Sequence, residues 1–69
     1  MARPNYYTVT LVNTDNKAYE GSGPTIPAAR AKALTLAVRE YVEAGLPPPT
    51  PGDFTEFNRH MTSGPHPRF

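Results

Sequence analysis

Residues 6–13 read Tyr-Tyr-Thr-Val-Thr-Leu-Val-Asn, and every residue before the asparagine is β-branched, aromatic or leucine. Strict alternation puts Tyr7, Val9 and Leu11 on one face and Tyr6, Thr8 and Thr10 on the other, the pattern of a strand with one buried side. Such a strand needs a hydrogen-bonded neighbour and a layer against its apolar face. The next residues supply the neighbour. Asn13-Thr14-Asp15-Asn16 tolerate tight and left-handed turns, so the chain reverses into a second strand over residues 17–22 and forms an antiparallel hairpin. Gly21 and Gly23 near the end of that strand fit a bulge or a close backbone approach. A lone G-x-G lacks the third glycine of a phosphate-cradling loop.

The covering layer follows directly. In Thr25-Ile26-Pro27 either Thr25 or Ile26 caps a helix, because proline suits a first turn where its missing N–H costs no intrahelical bond. Residues 27–44 all tolerate helix, and Gly45 followed by Pro47 supplies the stop. At 3.6 residues per turn, Ala33, Leu34, Leu36, Ala37, Val38 and Tyr41 gather on a broad apolar face, with Lys32, Thr35, Arg39 and Glu43 opposite. The alanines let this helix lie close to a sheet. The fold class expected is therefore α+β, an antiparallel β-hairpin packed by an alanine-lined helix.

Beyond the helix, Leu46-Pro47-Pro48-Pro49-Thr50-Pro51 is expected to run as extended polyproline, a stiff spacer of about 3 Å per residue. Pro48 and Pro51 also satisfy the P-x-x-P pattern that SH3 and WW domains bind. Phe54, Phe57 and Met61 recur at i, i+3, i+7, which predicts a short second helix over residues 53–61. Residues 62–69 hold two prolines and a glycine and read as a fraying tail ending in Phe69. The organisation expected is a β-β-α module over residues 1–46, a proline-rich linker over 47–51, and a short helix and tail over 52–69 packing on the same domain.

Composition narrows the function. A chain of 69 residues has room for one small domain, and the absence of cysteine closes off disulfides and thiolate metal sites. It is also compatible with a reducing, cytoplasmic setting. No apolar run resembles a signal peptide or a membrane span. Glu43 and Thr35 interrupt Lys32 and Arg39 on the polar helix face, against membrane binding. A formal net charge of +1 falls short of the positive field that strong nucleic-acid binders present. Ser22, Ser63, His60 and His66 occur without a nucleophile elbow or paired carboxylates, so neither an enzyme, a small-molecule substrate nor a cofactor is expected. His60 and His66 also lack the spacing of a helical zinc pair.

The segment Gly21-Ser22-Gly23-Pro24-Thr25-Ile26-Pro27-Ala28-Ala29-Arg30 resembles part of the double-stranded-RNA-binding domain family, and the likeness extends over residues 6–42. That family sets two helices on one face of a three-stranded antiparallel sheet, and its second helix opens with serine or threonine, two lysines, alanine and lysine. Gly21 and Gly23 match the glycines closing its last strand, Thr25 its hydroxyl residue, Ala29 its alanine and Arg30 its final cation. Ala33, Ala37, Val38 and Tyr41 match its buried helix face. The family's first helix and strand would precede Tyr6, where only five residues stand. Pro51 with Phe54-Thr55-Glu56 resembles that helix, and Gly64-Pro65-His66 resembles its Gly-Pro-x-His loop, which would make the order permuted.

Ile26 and Pro27 stand where the family has its two phosphate-binding lysines. The resemblance therefore implies a non-enzymatic module that works through protein contacts, most simply a homodimer, with Tyr7, Val9, Leu11, Ala33, Ala37, Tyr41, Phe54 and Phe57 as core and interface. An alternative it also implies is weak, sequence-independent binding of double-stranded RNA. There Thr25 opens the helix, Arg30 and Lys32 face phosphates, and Glu56 and His66 face the minor groove. A third reading is a P-x-x-P adaptor peptide on a folded stub.

Overall fold

The computed structural model describes residues 5–61. Strand β1 (Tyr6–Val12) runs antiparallel to β2 (Ala18–Gly23), helix α1 (Ile26–Glu43) follows, and β3 (Thr55–Met61) returns beside β1. The three strands form one antiparallel sheet in the order β2-β1-β3. The α+β class, the hairpin and the helix stand as expected. Their ends differ from the expected ones by about one residue.

The hairpin is organised by its first turn residue. Asn13 is only 8% exposed, and its Oδ1 accepts the backbone N–H groups of Asp15 and Lys17, both at 2.9 Å. Its Nδ2 donates to the Tyr41 hydroxyl at 2.8 Å, tying the turn to the last part of α1. Asn16 takes the left-handed conformation at φ 64°, which asparagine adopts more readily than most residues.

Register explains why the helix is lined with alanine. Tyr7, Val9 and Leu11 stand opposite Gly23, Gly21 and Tyr19 of β2, so two glycines share the apolar sheet face with the buried strand residues. A Cβ built on Gly21 would lie 2.4 Å from both the Ala29 carbonyl oxygen and the Ala33 backbone nitrogen. Only a glycine beneath and alanines above permit so close an approach. Val9, Leu11, Ala29 and Ala33 form the core cluster, with Tyr7, Ile26, Leu34 and Phe54 packed around it. Full burial of Val9 and Leu11 contributes about 1.5–3 kcal/mol each in transfer free energy. Docking follows the Ala29-Ala33-Ala37 stripe, so Leu36, which the broad apolar arc predicts to be inward, is 45% exposed.

Both helix ends are capped by their own sequence. Thr25 is the N-cap residue, its Oγ1 accepting the Ala28 N–H at 3.2 Å, which settles the choice between Thr25 and Ile26. At the other end Gly45 has φ 76°. The Leu46 N–H donates to the Tyr41 carbonyl at 2.9 Å and the Gly45 N–H to that of Val42 at 3.0 Å. This pair is a Schellman closure, and glycine meets the left-handed requirement without strain.

The expected second helix over residues 53–61 is not formed. A single 3-10 turn spans Pro51–Asp53, where the Thr50 N–H donates to the Asp53 carboxylate at 2.8 Å, and the chain then enters β3. The i, i+3, i+7 spacing of Phe54, Phe57 and Met61 is real but weak. Against it stands the open edge of β1, whose N–H and C=O groups gain a full ladder when residues 55–61 pair with residues 6–12. The stripe is accordingly divided. Phe54 precedes the strand and packs on the core, whereas Phe57 and Met61 lie on the sheet face turned away from α1. A third strand within the chain also supplies what a two-stranded hairpin lacks in water.

Candidate interaction surface

The core and interface residues expected from sequence separate into two groups. Val9, Leu11, Ala33 and Ala37 are fully buried and have no surface to offer a partner. Tyr7, Tyr41 and Phe54 are half-buried. Phe54 meets the edges of Tyr19 and Tyr41 at centroid distances of 6.1 and 6.4 Å, closing the end of the core near the hairpin turn. Tyr7 stacks on His60 at 4.6 Å with the planes 18° apart, as expected for residues directly opposite in the register. The Tyr19 hydroxyl is buried with no hydrogen-bond partner among the described residues, and burial pushes its pKa up.

The residues of the RNA alternative are placed differently. Thr25 is occupied as the N-cap, Lys32 is exposed, and His66, like Gly64, Pro65 and Phe69, lies outside the described residues. Arg30 and Glu56, 26 residues apart, face each other. The guanidinium clasps the carboxylate through both oxygens, Nε to Oε1 at 2.5 Å and Nη2 to Oε2 at 2.8 Å. No periodicity or spacing links these two positions; only β3 beside β1 brings them together. Of the P-x-x-P pattern, Pro48 and Pro51 are both exposed, Pro51 opening the 3-10 turn, while Pro49 between them is buried.

This clasp gives the fold an acid dependence. The hydrogen bond from Arg30 holds the Glu56 carboxyl below its ordinary pKa, an effect opposed by partial burial and aided by Asn58. A carboxyl whose pKa is lower folded than unfolded stabilises fully above its unfolded pKa, and that contribution is lost as pH falls through the folded value. Urea midpoints are therefore expected to fall on acidification below the ordinary glutamate value of 4.5. In Glu56→Gln that part of the dependence should flatten; an unchanged profile would mean that the pair contributes nothing.

Of the exposed large hydrophobic residues, Leu36, Val42 and Leu46 lie on or just after α1 and Phe57 lies on β3. The helix packs over β2 and β1 rather than β3. Along β3, Phe57, Asn58, Arg59 and His60 are all exposed, and Phe57 retains 58% of its surface. Phe57 and Arg59 share the face opposite the helix, beside Thr8, Thr10 and Glu20, in an open groove. The face of the strand turned away from α1 is thus uncovered among the described residues, and its outer edge pairs with no other described strand. Aromatic and arginine side chains presented in this way are the types that dominate protein interfaces. No helix among the described residues is long and apolar enough to cross a membrane. The chain matches no family model, no curated protein and no solved structure.

Proposed function

We propose that this chain is a non-enzymatic interaction module that acts through protein contacts and self-associates, similar to a double-stranded-RNA-binding domain that has exchanged RNA for protein. The observation that carries this reading is β3, a strand at the edge of the sheet with one uncovered face that holds Phe57 58% exposed. A hydrophobic ring on a sheet of this size gains about 25 cal/mol for each square ångström of apolar surface that a partner removes from water. RNA is the lesser reading, because Arg30 and Glu56 satisfy each other and Ile26 and Pro27 bring no charge to the start of α1.

Sedimentation of the full chain tests the two together. A dimer is expected at micromolar concentration, and a 16–20 base-pair RNA duplex, about the span such modules cover, should leave its sedimentation unchanged. A species that stays monomeric into the millimolar range overturns the proposal. Co-sedimentation with the duplex that weakens with added salt would instead establish the RNA reading.

A further inference from the structure

We infer that the partner is a second copy of this chain, joined edge to edge through antiparallel pairing of β3 with β3 about a two-fold axis at Asn58. The inference rests on the self-association reading and specifies its surface. An edge strand offers a row of unsatisfied N–H and C=O groups that another strand can complete, and natural edges are commonly blunted by lysine, proline or a bulge. β3 contains no lysine or proline, and its register with β1 runs without a bulge from Thr55 to Met61. The opposite edge, β2, is a shorter strand that contains Gly21 and Gly23, which weaken strand pairing.

The sequence of β3 is complementary to itself when reversed. With Asn58 on the axis, residue 57 of one copy stands opposite residue 59 of the other, 56 opposite 60, and 55 opposite 61. Phe57 then meets Arg59, an aromatic face against a guanidinium, twice by symmetry. Glu56, its carboxylate already held by Arg30, stands opposite His60, again twice. Asn58 meets Asn58, an amide that can donate to and accept from its own copy. Each contact joins unlike or self-complementary groups, and no like charges are opposed. An isologous interface demands this reciprocity, with residue i touching j and j touching i.

A two-fold normal to the sheet keeps facing side chains on one side of it, so the neighbouring registers have their axes at Phe57 and Arg59. Either one leaves the two ends of β3 out of register, and the Arg59 axis sets two guanidiniums opposite each other. The Asn58 axis is the centre of Thr55–Met61 and pairs the whole strand with its copy. The product is a continuous six-stranded sheet with one helix from each copy on the same face, and Phe57 gains the partner's Arg59 beside it on the other.

The chain has no cysteine, so a single introduced thiol reports the register. In Asn58→Cys the two Cα atoms would lie about 4.5 or 5.5 Å apart according to the hydrogen-bonding phase, inside the roughly 4.4–6.8 Å that a disulfide spans. In Thr55→Cys, also exposed, they would lie about 20 Å apart. Mild oxidation of the full-length variants should convert most of Asn58→Cys to disulfide-linked dimer and leave Thr55→Cys reduced. Equal cross-linking of the two in a chain that does sediment as a dimer overturns this register and leaves self-association to another surface. A chain that remains monomeric overturns both. Amide exchange on the unmodified protein guards against a misfolded variant: alternate amides of residues 55–61 should slow with rising protein concentration, and concentration-independent exchange would overturn the pairing.

Discussion

Gly21→Ala is expected to abolish the folded state. The added methyl meets the Ala29 carbonyl oxygen and the Ala33 backbone nitrogen at 2.4 Å and Lys32 Cβ at 2.9 Å. Two of these three atoms are helix backbone, which cannot rotate away, so α1 must lift off the sheet by an ångström or more. Ordinary overpacking costs about 1–3 kcal/mol when side chains can adjust; here they cannot, and the cost should exceed that range. A core of this size leaves a net stability of only about 3–5 kcal/mol. Intrinsic preference points the other way, because alanine fits a strand interior better than glycine does. The sign of the effect therefore isolates the close approach. Circular dichroism should show lost helix at room temperature, and a urea midpoint equal to that of the parent chain would mean that α1 does not lie on β2.

Asn13→Ala should produce the second largest loss, about 2–3 kcal/mol, from a single buried amide that serves three partners. Its Oδ1 satisfies the N–H groups of Asp15 and Lys17, and its Nδ2 holds the Tyr41 hydroxyl. Alanine releases the turn from the helix and leaves the Tyr41 hydroxyl without this donor. Asn13→Asp provides the discriminating comparison. It keeps an oxygen to accept the two backbone N–H groups and loses the amide donor, and the Tyr41 hydroxyl can turn to donate to the new carboxylate. Its urea midpoint should lie between those of the parent and Asn13→Ala. Equal losses for the two substitutions would show that the donor to Tyr41, rather than the turn, carries the effect.

The ion pair between Lys17 and Glu40 invites no comparable expectation. Both side chains are about half exposed, and pairs of that kind contribute about 0–1 kcal/mol. The Arg30–Glu56 clasp is less exposed and bidentate, so its effect is read through pH, as above.

Local signals made three of the four main elements legible. β1 follows from alternation, the turn from Asn13 to Asn16, and α1 from Thr25, Pro27 and Gly45 at its ends. Each of these depends on contacts within a few residues, where propensity and capping act. β3 is the exception, because Phe54, Phe57 and Met61 carry a helical spacing whose pull is smaller than that of an unpaired β1 edge. That edge lies more than forty residues away in the chain and enters no local window. The Leu36 side chain was misplaced for a related reason: apolar periodicity marks a broad arc, but the glycines of β2 select the alanine stripe within it.

The candidate surface divides along the same line. Tyr7, Tyr41 and Phe57 are all expected as core and interface; the first two are half-buried, and Phe57, expected on a helix, stands exposed on β3. The Arg30–Glu56 pair was drawn from the sequence as two separate contacts to RNA, whereas the fold makes the two residues partners of each other. The hairpin, the helix with its glycine stop, and the small residues that let them touch follow from backbone preference and side-chain size, which the order of residues already carries. Which residue caps the start of α1, that residues 55–61 extend the sheet, which charges cancel and which aromatic ring faces water follow from hydrogen-bonding edges and neighbours that come together only when the chain closes.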